Sequence, residues 1–476
     1  MARRIDEKKY DIWFITGSQH LYGEETLKKV AADSRAVVDA LNRDGNISQR
    51  IVWRPTVTTQ AEVTETIVAA NSDPGCAGVI CWMHTFSPAK MWINGLKLLQ
   101  KPMLHLNTQA NCEIPWSEID MDFMNLNQAA HGDREFGFVC TRLALSRRVV
   151  NGFYKYREVQ RKIDVWVRVA AAWRDSQTMK IARFGDNMRE VAVTEGNKVS
   201  AQIAFGYTVD GYGVGDLLEY IGRITDGEVD SLVKEYFELY TVPDRSGAAM
   251  ASIREAARQE LGIRAFLETG GYSGFTTTFE DLHGLRQLPG LAAQRLMADG
   301  YGFGAEGDWK TAALLHSMKV MAAGLPGGVS FMEDYTYHFE RGRERVLGSH
   351  MLEVCPSIAA GKPSLEVHPL GIGGKADPAR LVFNTRPGPA VNASMIELGD
   401  RFRLVVNEVE VVAPDADLPK LPVARTVWIP KPDLAEGARL WIEAGGAHHS
   451  VHAPALTFEF MRDYARMSGA QLIEIC

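Results

Sequence analysis

The first third of the chain alternates two hydrophobic periodicities. Residues 10–16 (YDIWFIT) form a short apolar run closed by Gly17, the pattern of a buried strand. Over residues 24–42 the apolar positions Leu27, Val30, Ala31, Val37, Val38 and Leu41 recur at helical spacing. Residues 51–54 read as a short strand. A helix is predicted over 60–70, with Thr58 and Thr59 as candidate N-caps. Residues 77–83 (AGVICWM) are apolar without a break, as a strand covered on both faces requires. Residues 88–99 read as a helix, with Ser87 placed to cap it and Pro88 in its first turn. Another strand follows over 102–106. This β-α-β-α-β order predicts a parallel sheet flanked by helices.

Between residues 179 and 324 helical spacing dominates, over 215–224, 229–240, 252–267, 291–299 and 309–323. The pattern then changes. Strand-like segments at 380–384, 401–412 and 425–429 sit between Pro and Gly turns. A helix near 457–467 and a strand over 471–475 end the chain. Residues 414–422 (PDADLPKLP) are the most loop-like segment. These shifts predict three domains: an α/β domain over 1–178, a central α/β domain over 179–328 and a β-rich domain over 329–476.

Composition narrows the function classes. A chain of 476 residues buries a large core without disulfide staples. Its formal charge of −7 comes without any Lys/Arg block, so nucleic acid and anionic membrane surfaces have no electrostatic footing. The six cysteines (Cys76, Cys81, Cys112, Cys140, Cys355 and Cys476) form no C-x-x-C pair, which points to reduced thiols and a cytoplasmic setting. No apolar run approaches the ~18 residues of a membrane span. The N-terminal charges run on to Lys9, and the short apolar stretch after them carries Asp11, so it reads as a first strand and not as a signal peptide.

Two glycine patterns resemble phosphate loops. Gly302-Phe-Gly304-Ala-Glu-Gly307 matches G-x-G-x-x-G, but that fingerprint needs a strand before it, and the preceding GLAAQRLMADG is helical. Gly371-Ile-Gly-Gly-Lys375 lacks both the flanking glycine spacing and the hydroxyl residue after the lysine. The carboxylates and imidazoles of the last third carry more chemistry. Glu306 follows a Gly-rich turn, and Glu333 stands among aromatics. His350 lies in an apolar stretch. His448 and His449 follow a segment read as a strand and a small-residue turn. Strand alternation predicts that only one histidine of the pair faces a given site. Two carboxylates with two imidazoles suit a divalent transition metal such as Mn²⁺. The other readings stay open on spacing alone. Glu306 reads equally as an early-helix carboxylate, Glu333 as half of an ion pair, and His350 as a core imidazole bonded to a carbonyl.

Longer strings carry a family resemblance. WFITGSQHLYGEETL (13–27), HTFSPAKMWINGL (84–96), MDFMNLNQAAHGDREFGF (121–138) and RFGDNMREVAVTEG (183–196) are four of them. FTTTFEDLHGLRQLPGLAAQRLM (275–297), GAEGDWKTAALL (304–315), SFMEDYTYHFE (330–340), LGSHMLEVCPSIA (347–359) and AGGAHHS (444–450) follow in order. Together they resemble the L-arabinose isomerase family from the first strand to the last helix. The resemblance implies a Rossmann-like N-terminal domain, a central α/β domain and a β-barrel-like C-terminal domain. It implies a homo-oligomer, a hexamer or tetramer, with sites between subunits. It places metal ligands on Glu306, Glu333, His350 and His449. Substrate-pocket positions fall on Gln19, Leu21, Met188, Phe279, Ile372 and His448, with His131 reaching a neighbouring subunit's pocket. Met188 and Phe279 read equally as core, and Gln19 as a turn residue. Ser450 replaces the threonine usual after the histidine pair, and the chain is shorter at its end than the family pattern.

The implied reaction is aldose–ketose isomerisation of L-arabinose to L-ribulose, and also of D-galactose to D-tagatose. Mn²⁺ is the implied metal, with Co²⁺ able to substitute. Glu306 and Glu333 are the implied general acid and base, acting through a cis-enediol. A related isomerase acting on L-fucose, or a sugar-binding protein without catalysis, are the competing readings. The second predicts loss of one or more of Glu306, Glu333, His350 and His449, and all four are present.

Overall fold

The computed structural model describes residues 10–476. The charged stretch up to Lys9, read above as leading into the first strand, lies outside the described residues. The chain divides into two compact units. One runs through Arg174 and takes in Arg466–Ser468; the other holds Asp175–Ala465 and Gly469–Cys476.

The first unit is a parallel sheet of β1 (Asp11–Gly17), β2 (Arg50–Trp53), β3 (Cys76–Met83), β4 (Met103–Asn107) and β5 (Arg148–Asn151), in the order β2-β1-β3-β4-β5. β3 is buried at every position, as its unbroken apolar run predicts. The helix Gln60–Ser72 starts at Thr59, whose hydroxyl and Glu62 close a capping box. Ser87 does not cap its helix. Its hydroxyl instead accepts the Trp92 indole N–H at 3.0 Å, and the segment opens as a 3-10 turn, Ala89–Trp92. Strand order reverses between β1 and β3, so their carboxyl ends frame the crevice where doubly wound sheets take ligands.

The second unit begins with a parallel sheet of β6 (Lys180–Phe184), β7 (Thr208–Tyr212), β8 (Gly274–Thr276) and β9 (Gly302–Gly304), in the order β7-β6-β8-β9. Two glycines of the phosphate-loop look-alike, Gly302 and Gly304, lie inside β9, and Gly307 lies in the turn beyond it. A Cβ on Gly302 would stand 2.0 Å from the Ala312 carbonyl oxygen, and one on Gly304 2.1 Å from that of Asp308. They let the strand touch the helix Trp309–Met321 and cradle no phosphate.

The remaining strands are β10 (Ser330–His338), β11 (Arg345–Ser349), β12 (Ser364–Val367), β13 (Ala379–Val382), β14 (Gly388–Glu397), β15 (Phe402–Val412), β16 (Arg425–Pro430), β17 (His449–Ala453) and β18 (Gln471–Ile475). β14-β17-β10-β11-β16-β15 closes into a barrel through the β14–β15 pairing, which removes open sheet edges. β18 adds to β15 in parallel, and β12–β13 is a separate hairpin. Periodicity did not predict β14, which is buried continuously from Ala390 to Ile396 but has its apolar run broken by Asn392 and Ser394.

Met332, Val346, Ala390, Val409, Val411 and Trp428 belong to the hydrophobic cluster of the barrel. Among them His452 stacks on Trp428 and bonds Asn392 Oδ1 through Nδ1 at 2.7 Å. Burial pushes its pKa down to about 3 from 6.5. A depressed imidazole pKa contributes stability that is present above pH 6.5 and lost as pH falls toward 3. His452→Gln should therefore flatten the fall of the thermal midpoint across that window relative to the parent chain. Parallel curves would show that His452 is not the group responsible.

Candidate metal centre

The loops at the carboxyl edge of the second sheet build one half of the site. Met188 follows β6, Phe279 follows β8, and Glu306 follows β9. Glu306 takes a left-handed conformation, with φ of 59°, which few non-glycine residues adopt. Its neighbours hold it there. Met188 N–H donates to the Glu306 carbonyl at 3.1 Å, and Gly307 N–H to Thr277 O at 3.1 Å. Asn187 Nδ2 donates to Gly307 O at 3.0 Å. Gly307 itself has φ of 80°, and a Cβ there would lie 2.5 Å from Asn187 Cα. The strain is stored where the chemistry is expected.

The barrel builds the other half. Glu333 on β10 pairs in register with His449 on β17 and Ser349 on β11. Directly opposed residues share a face, so Glu333 and His449 point the same way, and His350 follows at the end of β11. Phe331, on the same face, has its ring centroid 5.0 Å from that of His350 and 4.9 Å from that of His449. Phe279 stacks on His350 at 6.0 Å and 12°.

Glu306, His350 and His449 each bring one ligand atom within 4.8 Å of the others. Each imidazole is fixed through its far nitrogen. His449 Nδ1 bonds Asp308 Oδ2 at 3.1 Å, and His350 Nδ1 bonds Glu353 Oε2 at 2.6 Å. A carboxylate on one nitrogen is how metal-binding imidazoles are aimed. His449 Nε2 is buried without a hydrogen-bond partner and lies 3.9 Å from Glu306 Oε2. His350 Nε2 lies 3.9 Å from Glu333 Oε2. That donor set, with its orphaned buried nitrogen, fits a divalent transition metal. Glu333 stands beside the cluster of three and not within it.

The histidine pair departs from the alternation argument. Helix Leu434–Glu443 precedes it in place of a strand. His448 stands in the turn before β17, so both rings reach Glu306, His448 Nε2 at 3.3 Å. Burial works to raise the Glu306 pKa, but the His448 bond and the three neighbouring imidazoles outweigh it and leave the carboxyl below its usual range. The bond to Glu306 raises the His448 pKa against the pull of burial. His449, fully enclosed, is lowered by burial despite Asp308.

Asp308 and Glu353 were not singled out in the sequence. Asp308 also caps the helix Trp309–Met321, and that ordinary role is its only sequence signal. Glu353 stands three residues beyond His350, a spacing with no special mark. Ile372 lies on a loop whose Gly373 packs against Leu282, on the segment that carries Phe279. Gln19, Leu21 and His131 belong to the first unit. Gln19 opens the turn after β1, and Leu21 is 83% exposed. His131 stacks on Phe86 and lines a cleft of about 760 Å³ with Asn107, Gln128 and Phe153.

The family models for the L-arabinose isomerase N-terminal, central and C-terminal domains match residues 6–178, 180–324 and 328–471. The chain is 58% identical over 474 residues to an L-arabinose isomerase of Herpetosiphon aurantiacus, covering 99% of this chain and 95% of that one. It is 59% identical to one of Koribacter versatilis, with the same coverage. It is 58% identical over 471 residues to one of Geobacillus stearothermophilus, covering 98% and 95%.

Glu353→Ala frees His350 to turn. It should weaken divalent-metal binding by about ten-fold or more, measured by competition with a chromophoric chelator. Unchanged affinity in folded protein would contradict the aiming role.

Proposed function

The chain belongs to the L-arabinose isomerase family, and from that premise we propose that it interconverts L-arabinose and L-ribulose, and D-galactose and D-tagatose. The observation that carries this reading at the level of chemistry is the convergence of Glu306, His350 and His449, with Glu333 beside them. Glu306, Glu333, His350 and His449 would hold Mn²⁺, or Co²⁺, which acts as a Lewis acid toward the sugar oxygens.

The hydrogen to be moved sits α to a carbonyl and is weakly acidic. A carboxylate must take it from one carbon while another group protonates its neighbour, and a cis-enediol lies between. Glu306 and Glu333 take these roles. Their environments differ, as paired carboxylates in acid–base roles require. Glu306 shares hydrogen bonding with His448, whereas Glu333 has His350 Nε2 at the longer distance of 3.9 Å. Phe279 and Phe331 pack on the imidazoles and keep water from that side. Met188, Phe279, Ile372 and His448 orient the sugar. Gln19, Leu21 and His131 complete a pocket in a homo-oligomer, a hexamer or tetramer. The exposed Leu21, Trp116, Met121 and Met124 are surfaces a second copy would cover.

Among the described residues no helix is long and apolar enough to cross a membrane. The six free thiols support a cytoplasmic setting.

Glu306→Gln and Glu333→Gln should each lower kcat by at least about 100-fold while circular dichroism stays unchanged. Full activity in either sinks the acid–base assignment. Chelator-stripped protein should form no L-ribulose from L-arabinose and should recover on adding Mn²⁺. Undiminished activity after stripping would remove the metal from the mechanism.

A further inference from the structure

A lysine ammonium is almost never fully buried unless it is paired. Lys310, in the first turn of the helix Trp309–Met321, is 1% exposed. Its Nζ donates to Thr194 O at 2.8 Å and Glu195 O at 2.6 Å, and lies 3.6 Å from Asp308 Oδ1. Asp308 is just as buried. Its Oδ2 accepts from Thr311 Oγ1 at 2.7 Å and from His449 Nδ1 at 3.1 Å. A continuous path therefore runs from the ammonium, through the carboxylate, to the imidazole whose other nitrogen faces Glu306.

We propose that Lys310 is a positioning residue of the metal centre, holding the Asp308 carboxylate against His449 and so setting the affinity of the site for its divalent ion. This rests on the metal reading above. A buried carboxylate that loses its lysine partner is a poorly compensated charge, and breaking such a pair is costly because the survivor must be resolvated or move. Asp308 can move only by releasing Thr311 or His449. The same ammonium also serves the Thr194 carbonyl, which accepts from Asn187 Nδ2 at 2.7 Å. Lys310 is thus tied to the loop that supports the Glu306 turn, a second route by which its loss could be felt. The experiment separates the two routes.

Mn²⁺ binding is measured on the full chelator-stripped chain by counting free Mn²⁺ with electron paramagnetic resonance. The parent, Lys310→Met, Asp308→Asn and the double variant are compared, with the metal-free thermal midpoint of each. Lys310→Met is expected to weaken Mn²⁺ binding about ten-fold or more. Added to Asp308→Asn, it should change the affinity less than two-fold, because the group it acts through is already altered. Parent-like binding by folded Lys310→Met overturns the proposal, and so does an equal loss in both backgrounds. If Lys310→Met does not fold, the double variant, which buries neither charge, carries the test. Binding equal to Asp308→Asn, and weaker than the parent, supports the path; a further ten-fold loss overturns it. A parent chain that binds no Mn²⁺ overturns the metal reading and this inference with it.

Discussion

Two buried hydrogen bonds, Asp308 to His449 and Glu353 to His350, decide which nitrogen each imidazole presents to the centre. An imidazole can turn about its own bond, and a site built from loosely held rings would have no defined geometry. Each carboxylate fixes one Nδ1 and leaves Nε2 facing Glu306 or Glu333. These carboxylates are themselves buried, so each needs partners. Asp308 finds Thr311, His449 and Lys310, and Glu353 finds the Leu352 N–H and His350. The polar centre is thereby satisfied inward, with its open ligand positions left over.

The architecture places these groups by bringing two different sheets together within one unit. The parallel sheet offers its carboxyl-end loops, where the connections after the neighbouring strands β6, β8 and β9 carry Met188, Phe279 and Glu306. The barrel offers an outer face, where the antiparallel register sets Glu333 opposite His449. Phe303 of β9 meets Phe331 of β10 with ring centroids 5.6 Å apart, and this aromatic contact joins the two halves behind the imidazoles. The glycines of β9 contribute by letting the helix Trp309–Met321 lie against its own strand. That approach puts Asp308 and Lys310, at the start of the helix, within reach of β17 and of the loop near Thr194.

Electrostatics at the centre follow from this enclosure. Glu306 would be driven toward its neutral form by burial alone, but three imidazoles and the His448 bond favour the anion. The anion is the form that both ligates a cation and accepts a proton. Asp308 is held well below the carboxylate range by the Lys310 charge and the His449 bond, against a large burial effect. The two carboxylates therefore stay charged for different reasons, one at the centre of the site and one behind it.

Much of this protein was legible in its residues. The apolar run of β3, the helical spacing of Gly23–Arg43 and the capping of Gln60–Ser72 are local patterns, and local patterns respond to local physics. The long strings around Glu306, Glu333, His350 and the histidine pair carried the family, because many residues must be kept together where backbone and side chains are both constrained. Other features have no local signature. β14 is covered on both faces, and its buried Asn392 and Ser394 break the apolar run that marks such a strand in β3. The barrel depends on β17 pairing with the distant β10 and β14. Asp308 carries only the signal of a helix cap and Lys310 carries none, until the fold buries them 141 and 116 residues away in sequence from His449 and Thr194. Which side chains exist, and which short segments are helix or strand, was decided by the sequence through propensity and periodicity. Which carboxylate aims which imidazole was decided only by tertiary structure, because burial and distance between remote residues are properties of the packed chain.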